Sequence, residues 1–181
     1  MIRYIAIIVI AAIAIGSYGY YKNWSKGNYI KFIFSILLSY SAGAIGSIFT
    51  LRGLESWYVG LNKPSFAPPG EVISIIWILL YALIGISFYL IMTNDLGKKK
   101  VKIAITAFVV QLSLNAVWSY LFFGLQSLFL GLVGIFLLWI AIAFTIFFFD
   151  RVSKNAAYLL LPYILWVSIA MILNISLYLL N

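Results

Sequence analysis

The sequence contains neither cysteine nor histidine. That excludes disulfides, zinc and iron–sulfur centres built on those ligands, haem held by an axial Cys or His, and Cys–His or Ser–His catalysis. Acidic residues are almost as scarce. There are four, Glu55, Glu71, Asp95 and Asp150, and each falls at or beyond the end of an apolar run. Carboxylates deep inside a membrane span mark proton relays and ion paths. None here is placed for that work, or for paired-carboxylate chemistry. No metal-ligating cluster and no resident cofactor is expected. Charged residues of all kinds make up 9% of the chain, against about 25% in soluble domains.

What fills the chain instead is apolar side chain, at 65% of residues. This composition is that of an integral membrane protein. The net charge of +8 does not point to nucleic acid, because the basic residues sit in the gaps between apolar runs. Uncharged or nearly uncharged runs cover residues 4–21, 32–51, 72–94, 103–149 and 155–181. A spanning helix needs about 20 residues. The run 103–149 would be about 70 Å long at about 1.5 Å per residue, so it must fold back. Gly124-Leu125-Gln126-Ser127 is the natural turn. The runs do not alternate as barrel strands do, and open strands are not viable in lipid, so they are read as six helices.

If all six span, Lys22, Lys26, Lys31, Lys98, Lys99, Lys100, Lys102, Arg151 and Lys154 share one side, and Arg3, Arg52 and Lys63 the other. The bias places the first side in the cytoplasm and the loop 57–70 outside the cytoplasmic membrane. Residues 1–28 then form an N-terminal hydrophobic segment with its linker, and residues 29–181 the main domain. The first segment reads as a retained extra transmembrane helix. A cleaved signal peptide, with Ala12-Ile13-Ala14 as its small-residue site, would leave three lysines on the translocated side. An interfacial helix is a third reading.

Three of the four prolines, Pro64, Pro68 and Pro69, fall in the 57–70 loop. Each fixes φ and biases its predecessor away from helix, which predicts a stiff non-helical loop. Trp57, Tyr58 and Phe66 give it apolar surface to pack down. In the preceding run, Ser39, Gly43 and Ser47 recur every fourth residue, a spacing that lets helices approach closely within the bundle or across a dimer. Mixed aromatic and amide faces follow at helical spacing: Trp77, Tyr81 and Phe88; Gln111, Asn115, Trp118 and Phe122; Trp166, Ala170 and Asn174. Amides in hydrocarbon need partners, so Gln111, Asn115 and Asn174 are expected to point inward. Spacing alone fits a core filled by aromatics, with amides bonded across helices. It fits equally an aromatic-walled ligand pocket in which amides set orientation. Pro162 should kink the last helix or free the Tyr158 carbonyl.

These blocks resemble the translocator protein family (TspO/MBR, peripheral-type benzodiazepine receptors). The resemblance rests on Trp57-Tyr58, Leu61, Lys63-Pro64, Pro68-Pro69, Trp77 and Leu80-Tyr81 in the first block. The second block runs from Gln111 to Ser119 with Phe122-Phe123-Gly124, and the third comprises Pro162-Tyr163-Ile164-Leu165-Trp166, Ala170 and Leu173-Asn174. Gly43 and Gly46 resemble the family's glycine-rich first helix. It implies an all-α integral membrane protein, a five-helix TspO-like bundle, here with one extra N-terminal transmembrane helix. It further implies a pocket for tetrapyrroles such as protoporphyrin IX, for sterols and for benzodiazepine-like compounds, closed by the first loop. Carried over by motif, that pocket would be lined by Tyr58, Pro68, Trp77, Tyr81, Asn115, Trp118, Ser119, Trp166 and Ala170. Homodimers are common in such proteins. Some bacterial members are linked to light-dependent porphyrin breakdown, which would give Trp77 and Trp166 a catalytic role. The family's cholesterol-recognition pattern is broken, since Tyr178 is followed only by Leu179, Leu180 and Asn181.

Three functions remain open at this point. The first is a receptor or sensor that binds a flat lipophilic ligand. The second is an enzyme-like degrader of porphyrin, and the third a passive route for porphyrin across the bilayer. The receptor is preferred, and enzymatic activity is the lesser expectation.

Overall fold

The computed structural model describes residues 25–181. Five stretches are long and apolar enough to cross a membrane: Lys26–Leu51, Gly70–Met92, Lys99–Gly124, Leu128–Asp150 and Lys154–Leu180. Among the described residues there are helices and no strands. The sixth span expected over residues 4–21 lies outside the described residues.

Helix α1 covers Lys26–Ser56 and starts on a Ser25 cap, whose Oγ accepts the Asn28 N–H at 3.3 Å. Helix α2 covers Gly70–Met92 and begins directly after Pro69, which cannot extend a helix backwards into the loop. Helix α3 covers Lys99–Ser119 and runs into a π-helical turn at Tyr120–Gly124, closed by Leu125 N–H donating to the Tyr120 carbonyl at 2.8 Å. Gln126 then takes φ 51°, and the Ser127 hydroxyl caps α4, Leu128–Asp150, by accepting from Leu130 N–H at 3.2 Å. The uncharged run thus reverses at the turn the sequence predicts. The last span divides into α5, Lys154–Leu159, and α6, Leu161–Leu180, with the break at Leu160 just before Pro162.

The helices form a ring. Helix α1 packs on α2 and α3, α3 on α4, and α4 on both pieces of the last span. Of the two pieces of the last span, α5 packs closely on α2, whereas α6, beyond the break, touches it much less. The bundle is therefore sealed at one end and hollow at the other. At the sealed end Phe88 and Phe108 stack at 4.0 Å between centroids, and Phe108 stacks on Phe149 at 6.1 Å. Ile84, Ile91, Val101 and Ala104 around them are completely buried. The Ser87 hydroxyl ties α2 to α5 by donating to the Ala156 carbonyl at 2.6 Å.

The small residues of α1 work inside the bundle. Ser39 Oγ donates to the Tyr81 carbonyl at 2.7 Å, and a Cβ on Gly43 would stand 2.5 Å from the Tyr81 ring. Ser47 departs from the expected register. It is exposed and bonded within its own helix, and Gly46 takes the inward place against Ser119. Gly46 stands three residues after Gly43, one short of the four-residue repeat, and that spacing keeps the seam on the same face.

Candidate ligand cavity at the loop end

The hollow end holds a cavity of about 320 Å³ between α1, α2, α3, α4, α6 and the 57–70 loop. All nine residues expected at a pocket line it. They come from four separate elements, so the fold alone brings them together.

From the loop come Tyr58 and Pro68. The loop is not wholly non-helical as expected: Tyr58–Gly60 form a single 3-10 turn. The prolines begin only at Pro64, and nothing before them forbids a turn. Tyr58 packs against Phe122 at 6.2 Å and Phe123 at 5.8 Å. The Lys63 ammonium sits over the Tyr58 ring, 4.9 Å from its centroid. Burial raises the Tyr58 phenol above its ordinary pKa. Trp57 also packs down, at 5.3 Å from Phe122, but Phe66 does not; it is 50% exposed. The loop is fastened to the far end of α6. Asn62 N–H donates to Asn181 Oδ1 at 2.8 Å, and Asn181 Nδ2 donates back to the Asn62 carbonyl at 3.1 Å.

From α2 come Trp77 and Tyr81, stacked at 5.5 Å with 29° between their planes. From α3 come Asn115, Trp118 and Ser119. Trp118 stacks on Phe122 at 5.4 Å and 17°, and its Nε1 donates to the Gly131 carbonyl at 3.1 Å. The π-helical turn allows Phe122 and Phe123 both to reach the cavity wall. From α6 come Trp166 and Ala170. Trp166 Nε1 is buried with no partner, and so is Asn174 Oδ1, while Asn174 Nδ2 donates to the Ala170 carbonyl at 2.8 Å.

Tyr163 is the residue the sequence reading missed. It is fully buried, and its hydroxyl accepts from Gln111 Nε2 at 3.0 Å and from Asn115 Nδ2 at 2.9 Å. Asn115 Oδ1 in turn accepts from the Tyr81 hydroxyl at 2.6 Å. A polar chain thus joins α2, α3 and α6 at the inner limit of the cavity. The signal was present in the sequence: Tyr163, Trp166, Ala170 and Asn174 fall at i, i+3, i+7 and i+11, one face of a helix. Gln111, Asn115 and Asn174 are all buried as expected. Gln111 and Asn115 bond across helices, Asn174 bonds only within its own, and the aromatics leave space.

The model of the TspO/MBR family matches residues 35–179. The chain belongs to the TspO/MBR family. It is 44% identical over 155 residues to a tryptophan-rich protein TspO of Archaeoglobus fulgidus, covering 85% of this chain and 99% of that one. It is 36% identical over 132 residues to a human translocator protein, covering 72% and 78% of the two chains. A protein CrtK of Rhodobacter capsulatus is 33% identical over 140 residues, or 77% and 86%. With five spanning helices and this TspO/MBR membership, the chain is a multi-pass integral membrane protein.

Proposed function

We propose that the protein is a membrane receptor or sensor that binds flat lipophilic ligands, tetrapyrroles such as protoporphyrin IX above all, in the cavity under the 57–70 loop. The observation that carries this is the pair of stacked aromatic walls, Trp77 on Tyr81 and Trp118 on Phe122, in an otherwise apolar space. Flat π-faces suit a flat ring, at about 0.5–1.5 kcal/mol per aromatic pair beyond burial. With no His or Cys in the chain, a porphyrin is held by stacking and shape, without an axial bond from either. Sterols and benzodiazepine-like compounds are further ligand candidates.

A cavity of about 320 Å³ is at the small end of ligand sites, which run from about 300 to about 1,000 Å³. A full tetrapyrrole therefore has to lift the loop or extend past it. The loop is the lid of this reading, and its clasps at Tyr58 and Asn62 are what binding has to work against. The basic-residue bias supports a lid on the non-cytoplasmic side of the cytoplasmic membrane. The sealed half of the bundle counts against a porphyrin path through its centre. Self-association as a homodimer belongs to the same reading and is checked by the mass of the detergent-solubilised particle.

The deciding experiment is a titration with protoporphyrin IX in the dark, following quenching of the six tryptophans. Saturable quenching, weakened by Trp77→Phe or Trp166→Phe, supports the pocket. Linear quenching, equal in all three proteins, means partition into micelles and sinks it. Light-dependent degradation is the second reading, favoured by two indoles that line the cavity, Trp77 from α2 and Trp166 from α6, the latter with an unbonded Nε1. It requires turnover under light that is lost in Trp77→Phe or Trp166→Phe while binding survives.

A further inference from the structure

Outside the cavity, α3 and α4 leave a second cleft of about 570 Å³ on the lipid-facing side of the bundle. We propose that this cleft is a site for one anionic phospholipid, its phosphate on Lys99 and Lys102 and an acyl chain between the helices. The cleft has one charged end and one apolar length. Lys99 and Lys102 stand at its mouth, and Phe144, Phe148, Ala107 and Ala141 line the part beyond. Thr106 adds a hydroxyl, but that group is bonded to the Lys102 carbonyl at 3.1 Å.

The charge at the mouth is unspent. Neither lysine ammonium has a partner among the described residues, whereas Lys100 next door donates to the Arg151 carbonyl at 3.1 Å. Among the described residues this end of the bundle carries Lys26, Lys31, Lys98, Lys99, Lys100, Lys102, Arg151 and Lys154 against Asp95 and Asp150. Basic pockets between helices are where anionic head groups settle. The dimensions agree. From Lys99 to Leu114 the cleft follows α3 for about 22 Å at about 1.5 Å per residue, more than one leaflet's share of a core about 30 Å thick. One acyl chain fits lengthwise with its phosphate level with the lysines.

A second copy of the chain is the rival occupant. Two copies in one bilayer, related by a two-fold axis along the membrane normal, would pair this face with itself at equal depth. Lys99 and Lys102 would then confront their own counterparts, like charge on like charge. A phosphodiester removes that repulsion and a second copy creates it.

The test is native mass spectrometry of the full chain in mild detergent, titrated with phosphatidylglycerol or phosphatidylcholine. Phosphatidylglycerol should be retained in preference, by up to about thirtyfold for two lysines beside an anionic lipid. The double variant Lys99→Gln/Lys102→Gln should bring that ratio close to one. Lys98→Gln/Lys154→Gln, at the same end but outside the cleft, should leave most of that preference in place. Ala141→Phe, or Val110→Trp at a more exposed position, should weaken retention of both lipids with the lysines intact. The proposal is overturned if the preference survives loss of Lys99 and Lys102. Equal sensitivity to the outer lysine pair would mean diffuse attraction, which also overturns it. So would loss of a dimer in Ala141→Phe with lipid retention unchanged, which would assign the face to a second copy.

Discussion

Tyr163→Phe removes one oxygen and tests the polar chain at the root of the cavity. That oxygen accepts two hydrogen bonds, from Gln111 and Asn115, in a fully buried position. Gln111 loses more than Asn115 does. Its Oε1 already lacks a partner, so the variant leaves the whole carboxamide bare. Asn115 keeps the Tyr81 hydroxyl at 2.6 Å. Side-chain hydrogen bonds between membrane helices average about 0.6 kcal/mol, with a maximum near 1.7. A stranded buried amide adds a desolvation penalty of about 1–3 kcal/mol. With two bonds lost the sum is about 2–4 kcal/mol, or a fall in Tm of roughly 4–16 °C for a chain of this length at about 2–4 °C per kcal/mol.

The control is Gln111→Leu in the same background. Replacing both partners by apolar groups removes the stranded amide, so the double variant should regain most of the lost stability. Thermal unfolding in one detergent, with helix content followed by circular dichroism, reads both numbers. Tyr163→Phe as stable as the parent would refute the polar chain as a structural element. A double variant no better than Tyr163→Phe would show that the cost lies in ring packing and not in the amide.

Pro68→Gly should speed protoporphyrin release about two- to fivefold, the kinetic face of about 0.4–1 kcal/mol of loop entropy, with helix content unchanged. Asn181→Ala should act in the same direction by removing the clasp on Asn62, and unchanged dissociation in both would dismiss the lid. Gly43→Ala drives a methyl against a Tyr81 ring that Trp77 and Asn115 hold in place, so it should cost about 1–3 kcal/mol and weaken porphyrin binding; equal affinity would show the ring free to move. Lid closure should not depend on pH below about 9, where the Tyr58 phenol is neutral open or closed. Above about pH 10 the opened loop's phenol ionises first, because burial raises the closed one, so release should accelerate, and Tyr58→Phe should abolish the rise.

The spans were readable because nothing competes with burial in lipid. An uncharged run of about 20 residues has one stable form there, and a run twice that length has to turn where Gly124 and Ser127 permit. The fine structure was less readable. The 3-10 turn at Tyr58 and the π-helical turn at Tyr120–Gly124 obey no composition rule. Each is stabilised by rings meeting across the structure, with Tyr58 on Phe122 and Phe123. Phe66 looks like an anchor in sequence yet faces outward, because the prolines on either side fix its direction regardless of its apolarity.

The same division explains the cavity. Helical spacing says which residues share a face, so Trp77 with Tyr81, and Asn115 with Trp118, could be grouped in advance. It does not say how far apart two faces stand. That distance is set by a residue on neither wall: Pro162 ends α5, and α6 departs from α2 beyond Leu160. Had the last span run straight, its contact with α2 near Ala156 would have continued toward the loop, and the aromatics would have filled the core. The break instead leaves the Tyr81–Asn115–Tyr163–Gln111 chain as the last tie between these helices. The polar groups that spacing alone could not separate from pocket contacts are therefore the hinge side of the pocket. They hold its base, where Trp77 also meets Tyr163 edge-on at 6.1 Å, while the space beyond them toward the loop stays open.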